Sequence, residues 1–375
     1  MQAIHLVRAH LFRVKLETPV VLSFGTMNSR WALMVSIEDR NGCIGWGEVW
    51  CNFPDCGASH RYRLLNQIFA PILVGVQFEH PSELYNLLQA QTRILRIQTA
   101  ETGPIEQCIA GLDCAIWDLF ARDKRKPLYE LLGGKRCQVK TYASGINPGN
   151  VSTTIENAKR HGHCRFKVKV GFGLQADLET LTQARESAGE LELACDANQA
   201  WDTNAAIEYI NLFQRFNLSW IEEPIAADRM IRDWQLITQC TPTRIAAGEN
   251  LNSLELFKHM LTESGVSIIQ PDLAKWGGIT GTRQVVKLAS TFGVAYYPHY
   301  LGAAVGLIAS AHQLAATNPD GLLEVDVNEN PLRTNLLEGA FSFVDGAMML
   351  NDEPGLGFTP NLSAIQEYQA ESNLV

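Results

Sequence analysis

Lys169, Asp196, Glu222, Glu249, Asp272 and His299 recur along the C-terminal two-thirds of the chain, and Glu324 continues the series. The successive intervals are 27, 26, 27, 23, 27 and 25 residues. One strand, one helix and two short loops need about that length, so each residue can stand at the same end of a successive βα unit. Asp196, Glu222 and Glu249 each follow a short apolar run. Three carboxylates on neighbouring strand ends repel one another unless a cation lies between them. All-oxygen ligation points to Mg2+ or Mn2+ rather than zinc. A lysine before the acids, and an Asp and a His after them, suggest bases. The pattern reads as an enzyme.

Lys167 and Lys169 alternate with Phe166, Val168 and Val170. The two-residue period of a strand puts both lysines on one face. Two inward-facing lysines need anionic partners, and burial beside a cation can lower an ammonium pKa towards that of a working base. A solvent-facing lysine stripe fits the segment alone equally well. Asp272 accepting from one nitrogen of His299 would fix the tautomer and leave the other nitrogen to move a proton. Glu223, beside Glu222, points to the opposite face if the strand continues, which makes it a supporting group.

These residues need elements to hold them. Residues 32–39 read as a strand, Arg40-Asn41-Gly42 as a turn and 43–49 as the return strand. From about residue 59 to 132 the pattern is helical, with Ile109, Leu112, Ala115, Ile116 and Leu119 at helical spacing and Gly133-Gly134 as the stop. Expected strands then fall at 139–143, 165–170, 191–195, 220–221, 244–247, 268–270, 295–297 and 322–325. Helices between them are expected at 153–161, 176–188, 204–216, 229–239, 253–262, 282–292 and 303–316. Strand–helix alternation gives a parallel barrel or a doubly wound sheet. The regular comb favours the barrel, which returns every strand end to one mouth. The fold class is α/β: a (β/α)8-type barrel at 136–335 behind an N-terminal α+β capping domain at 1–135. Residues 336–375 are expected to pack back on the capping domain.

At 375 residues the chain exceeds one barrel of roughly 250 residues. With 46% apolar and 19% charged residues it has the composition of a folded protein with a sizeable core. The net charge of −9 argues against nucleic-acid or anionic-membrane partners, though not against a small anionic substrate. Nine scattered cysteines without a CxxC pair read as reduced thiols. No apolar stretch approaches ~18 residues and the N-terminus alternates, so the cytoplasm is the expected location.

The set Lys167-x-Lys169, Asp196-Ala-Asn198-Gln199, Glu222-Glu223-Pro224, Gly248-Glu249-Asn250, Pro271-Asp272 before Gly277-Gly278, His299 and Glu324 resembles the enolase superfamily, and within it the mandelate racemase subgroup. The resemblance spans nearly the whole chain, including the segment from Gly111 to Leu119. Asp272 with His299 separates it from the muconate-lactonizing subgroup, and Glu249 from the glucarate dehydratase type, which would carry Asn there.

That resemblance implies Mg2+ on Asp196, Glu222 and Glu249 binding a small carboxylate substrate with help from Lys167. Lys169 and His299 would flank the substrate α carbon, and a protonated Glu324 would bond the far carboxylate oxygen. It also implies a homo-oligomer, dimer to octamer. The expected reaction is dehydration of an acid sugar or other 2,3-dihydroxy acid to a 2-keto-3-deoxy acid. Racemisation or epimerisation of a 2-hydroxy acid is the alternative, and a non-catalytic metal-binding barrel the remote one. A hydrolase would favour His ligands in the cluster, which are absent. Substrate contacts are expected from Asn198, Trp276 and Tyr300, with Tyr142, Lys275 and the capping loops at 23–28 and 51–56 as further candidates.

Overall fold

The computed structural model describes residues 3–318, 320–337 and 340–370, without the side chain of Thr18. The chain opens with an antiparallel sheet, in order β1 (Ile4–Leu22), β2 (Gly25–Asp39) and β3 (Ile44–Val49). The β2–β3 turn closes as the sequence predicts: Asp39 Oδ1 accepts from the Asn41 and Cys43 amides, and Gly42 takes φ +81°. The β1–β2 hairpin is longer than the pattern shows. It pairs Leu22 with Gly25, so the segment at 23–28 is a hairpin tip continued into strand rather than a separate loop.

Helix Pro81–Thr99 packs on helix Thr102–Asp123, which packs on this sheet. The second is buried along most of its length, because its polar positions are few and it lies between the sheet and the barrel. Glycine permits the closest approach: a Cβ at Gly111 would lie 2.5 Å from Val49 Cγ2, and one at Gly47 would strike the Gly111 carbonyl.

Eight parallel strands follow: β4 (Gln138–Ile146), β5 (Arg165–Lys169), β6 (Glu192–Asp196), β7 (Trp220–Glu222), β8 (Arg244–Ala247), β9 (Ile268–Ile269), β10 (Ala295–Tyr296) and β11 (Leu323–Asp326). They pair in chain order from β4 to β10, and β11 returns to the free side of β4. At the seam between β10 and β11 the Glu324 amide faces the Pro298 carbonyl at 3.5 Å. The architecture is a (β/α)8 barrel behind a capping domain. Each expected strand is present, with ends shifted by up to three residues, and β9 and β10 are only two residues long. Tyr142, Ala194, Trp220, Ala246, Ile268 and Tyr297 fill the barrel interior beneath the mouth. β12 (Phe341–Val344) and β13 (Ala347–Leu350) form a hairpin that adds antiparallel to the start of β4. The following segment reaches the capping domain, where Asp118 Oδ1 accepts from the Leu356 amide at 2.7 Å and the Ala370 amide donates to the Leu11 carbonyl. All nine cysteines are free thiols. Among the described residues no helix is long and apolar enough to cross a membrane.

Candidate active site

Strand register sets the first part of the site. Lys169 pairs with Asp196, and Asp196 with Glu222, so one rung of the ladder carries all three across β5, β6 and β7. Glu249, Asp272 and His299 stand two, three and three residues past the ends of β8, β9 and β10. Glu324 lies within β11, opposite Tyr142. β8, β9 and β10 end before Glu249, Asp272 and His299, so these three groups sit on the loops that leave the barrel.

Asp196, Glu222 and Glu249 are buried, and one oxygen from each lies within 4.8 Å of the others. Glu222 Oε1 is 2.6 Å from Lys167 Nζ, and its Oε2 accepts from Gln270 at 2.5 Å. Asp196 accepts from the Asn198 amide at 2.8 Å and its side chain at 3.1 Å. Burial, reinforced by Asp196 and Glu324, pushes Glu222 up to about 7 despite Lys167. Crowded, buried, all-oxygen donors of one sign fit a hard divalent cation.

His299 lies between carboxylates. Its Nδ1 is 2.7 Å from Asp272 Oδ2, and its Nε2 is 2.9 Å from Glu249 Oε2 and 3.8 Å from Glu324 Oε2. Burial pulls its pKa down, but Glu249 and Glu324 outweigh that and raise it to about 10. Lys169 Nζ reaches Asp196 Oδ2 at 2.5 Å. Burial lowers its pKa and Asp196 more than offsets this, so the protein groups alone raise it, whereas the expected lowering involves a neighbouring cation as well.

Lys167 is fully buried, its ammonium 2.6 Å from Glu222, 2.8 Å from Glu324 and 5.2 Å from the centroid of the Tyr142 ring. Glu324 Oε2 also accepts from the Tyr300 amide at 3.2 Å. Burial alone would raise Glu324, but Lys167 and His299 hold it down at about 2. Among the protein groups alone, these neighbours favour its carboxylate form.

Lys169, Glu249, His299 and Glu324 open on one cavity of about 260 Å3. Its barrel wall is polar, with Ser144, Asn147, Asn198 and Asn328, while the capping segments contribute Leu22, Phe24, Met27, Trp50 and Phe53. Both expected capping segments thus reach the cavity, as do Asn198 and Lys275. Trp276, Tyr300 and Tyr142 are absent from the lining. The Trp276 ring packs 5.2 Å from Phe257, the Tyr300 hydroxyl turns to the Ala303 carbonyl, and Tyr142 lies beneath Lys167 in the interior. Aromatic residues near strand ends are readily misassigned, because the sequence does not show which way the loop turns the ring. β7 ends at Glu222, Glu223 takes φ +39°, and its carboxylate accepts from Asn250, which also bonds Glu249. Asn147, Asn328 and Trp50 were not singled out in the sequence. Only their position just beyond strand ends could have marked them.

Two family models cover most of the chain. One, described as mandelate racemase / muconate lactonizing enzyme, N-terminal domain, matches residues 6–133. The other, enolase C-terminal domain-like, matches 151–364. The chain belongs to the mandelate racemase/muconate lactonizing enzyme family of the enolase superfamily. A solved mandelate racemase/muconate lactonizing enzyme from Bordetella bronchiseptica is similar at TM-score 0.90 and 41% identity, covering 98% of this chain and 99% of that one. A racemase from Streptomyces coelicolor with bound magnesium is similar at TM-score 0.87 and 25% identity, covering 98% and 100%. The L-talarate/galactarate dehydratase of Salmonella typhimurium is 33% identical over 335 residues, 87% of this chain and 80% of its own length. Other curated relatives are named as cycloisomerases, dehydratases, racemases and epimerases. This family member is an enzyme of the lyase or isomerase kind.

Proposed function

We propose that the protein removes the proton α to a substrate carboxylate with Mg2+ held by Asp196, Glu222 and Glu249, and dehydrates an acid sugar or other 2,3-dihydroxy acid to a 2-keto-3-deoxy acid. The observation that carries this reading is that Lys169 and His299, from strands three positions apart around the ring, face one cavity beside the acidic triad. The cation would supply Lewis-acid stabilisation of the negative charge that develops on the substrate carboxylate.

The chain's own groups do the rest. With Asp196, Glu222 and Glu249 holding a cation, Lys169 and His299 would no longer be engaged by these carboxylates and would be available to a substrate. Lys169 or His299, according to the configuration at C2, takes the α-proton. The Lys167 ammonium offsets charge on the enediolate, and Glu324 holds Lys167 and the Tyr300 amide in place. His299 then delivers a proton to the departing C3 hydroxyl, the C–O bond breaks, water leaves, and the enol tautomerises to the ketone. Ser144, Asn147 and Asn328 offer hydrogen bonds to the remaining hydroxyls. The dehydratases among the relatives support this outcome.

The same two groups on two sides of one carbon also support a 1,1-proton transfer that inverts the centre. Incubation with a library of mono- and diacid sugars and Mg2+ in D2O decides between them. A 2-keto-3-deoxy product deuterated at C3 is expected. Inversion of C2 with no keto acid would assign a racemase, and neither product nor exchange with any acid would sink the proton-abstraction reading.

A further inference from the structure

Two of the barrel helices without a side-chain N-cap of their own follow the loops that carry Asp272 and His299. The helix Gly278–Thr291 follows Gly277, and Ala304–Thr317 follows Ala303, and neither preceding residue offers a side-chain acceptor. The first backbone N–H groups of a helix need a partner when buried. Here the partners come from the other domain. Asp113, on the capping helix Thr102–Asp123, accepts from the Thr280 amide at 2.8 Å and its hydroxyl at 2.6 Å. Glu48, on β3, accepts from the Ala303 amide at 2.6 Å and the Gly306 amide at 3.0 Å. Both carboxylates are buried, and each lies where the helix dipole favours negative charge.

The approach is close on both sides. A Cβ at Gly278 would lie 2.5 Å from Asp113 Oδ2, and one at Gly302 would lie 2.7 Å from Glu48 Oε1. Gly277 lies only five positions after Asp272, and Ala303 four positions after His299. Further capping contacts fall on the same two loops, from the Trp50 amide to the Ala274 carbonyl at 3.3 Å and from Asn52 Nδ2 to the Leu301 carbonyl at 2.8 Å. A third buried tie joins Arg30 of β2 to Asp326 at 2.9 Å, two residues past Glu324. At Asp196, by contrast, the side-chain contacts from the capping domain are those of the Ser23 hydroxyl with the Ala197 and Asn198 carbonyls, each at 3.5 Å.

We propose that Glu48 and Asp113 are positioning residues through which the capping domain holds the Asp272–His299 pair in register with the substrate, while Asp196 and Glu222 of the metal triad are held chiefly by the strand register of β6 and β7. The proposal rests on the assignment of His299 as a proton-transfer group. A displacement of about 1 Å at such a group can lower turnover about 10²-fold.

The test uses full-length Glu48→Gln and Asp113→Asn beside wild type and His299→Asn. Circular dichroism, Mg2+ binding by calorimetry, kcat and KM are measured on each. Deuterium exchange at C2 is followed with both epimers of a turned-over acid. The expected result for the two carboxylate variants is unchanged Mg2+ affinity and KM with kcat lowered about 10–10²-fold. The epimer whose exchange His299→Asn abolishes should exchange more slowly in these variants, while the other epimer is unaffected. Wild-type kcat in both carboxylate variants overturns the proposal, and so does an equal loss of Mg2+ binding and of exchange from both epimers. Full turnover in His299→Asn would instead overturn the assignment of His299 itself.

Discussion

His299 Nδ1 stands 2.7 Å from Asp272 Oδ2, and the other Asp272 oxygen accepts from the Ala274 and Lys275 amides at 2.8 and 3.1 Å. The carboxylate is locked by its own loop, so it fixes the ring's tautomer as well as its direction. Nδ1 carries the proton that faces Asp272, and Nε2 is the atom turned towards Glu249, Glu324 and the cavity.

Asp272→Asn should therefore disable His299 while leaving the triad intact. Turnover is expected to fall by roughly 10²–10⁴-fold, by analogy with the Asp of a Ser-His-Asp triad. Mg2+ affinity should not change. Steady-state kinetics with a parallel Mg2+ titration checks this, and wild-type kcat would refute it.

Glu222→Gln should abolish Mg2+ binding and turnover with the fold retained. In wild type, Mg2+ at 100 times its Kd should stabilise the protein by about 2.7 kcal/mol. The Gln variant should show no Mg2+-dependent rise in Tm, and wild type should lose activity after exhaustive EDTA treatment. Full activity after chelation would remove the metal from the scheme.

Lys167→Met should destabilise the barrel even though the shapes are similar. The ammonium lies between Glu222 and Glu324 and 3.8 Å from Asp196, and its removal leaves buried carboxylates uncompensated. Breaking such a network typically costs about 3–5 kcal/mol. Urea unfolding without Mg2+ measures the loss, and a change within error would show the network to be dispensable.

His312 makes a prediction away from the mouth. Its Nδ1 accepts from the Tyr129 amide at 3.0 Å, the ring stacks on Tyr129, and burial pulls its pKa down to about 4. The unfolded value is about 6.5, so the unfolded chain binds the proton first. The stability associated with neutral His312 is complete above about pH 6.5 and is lost as pH falls towards 4. The loss is on the order of 3 kcal/mol in full. His312→Gln keeps an acceptor for Tyr129 and should show a smaller drop in stability between pH 7.5 and 4.5 by denaturant unfolding. Equal drops in the two proteins would exclude the effect.

The sequence by itself determined the barrel class and the comb of charged residues. A βα period with one chemical group per turn survives in the chain as spacing, whatever the exact strand ends. Lys167 and Lys169 on one strand face, and Asp196 and Glu222 on one rung, follow from two-residue periodicity and parallel register. Only the tertiary structure decided the groups set by where loops turn. Glu223 swings to Asn250 through a left-handed backbone, while Trp276 and Tyr300 turn away from the cavity. The charge states are tertiary as well. Lys167 and His299, distant in sequence, converge on Glu324 and pull its pKa down against burial. The partners of Glu48 and Asp113 carry no signal in the chain, because they are backbone amides of another domain. Local periodicity encodes which face a side chain takes on its own element, and burial against a distant element decides what that face then meets.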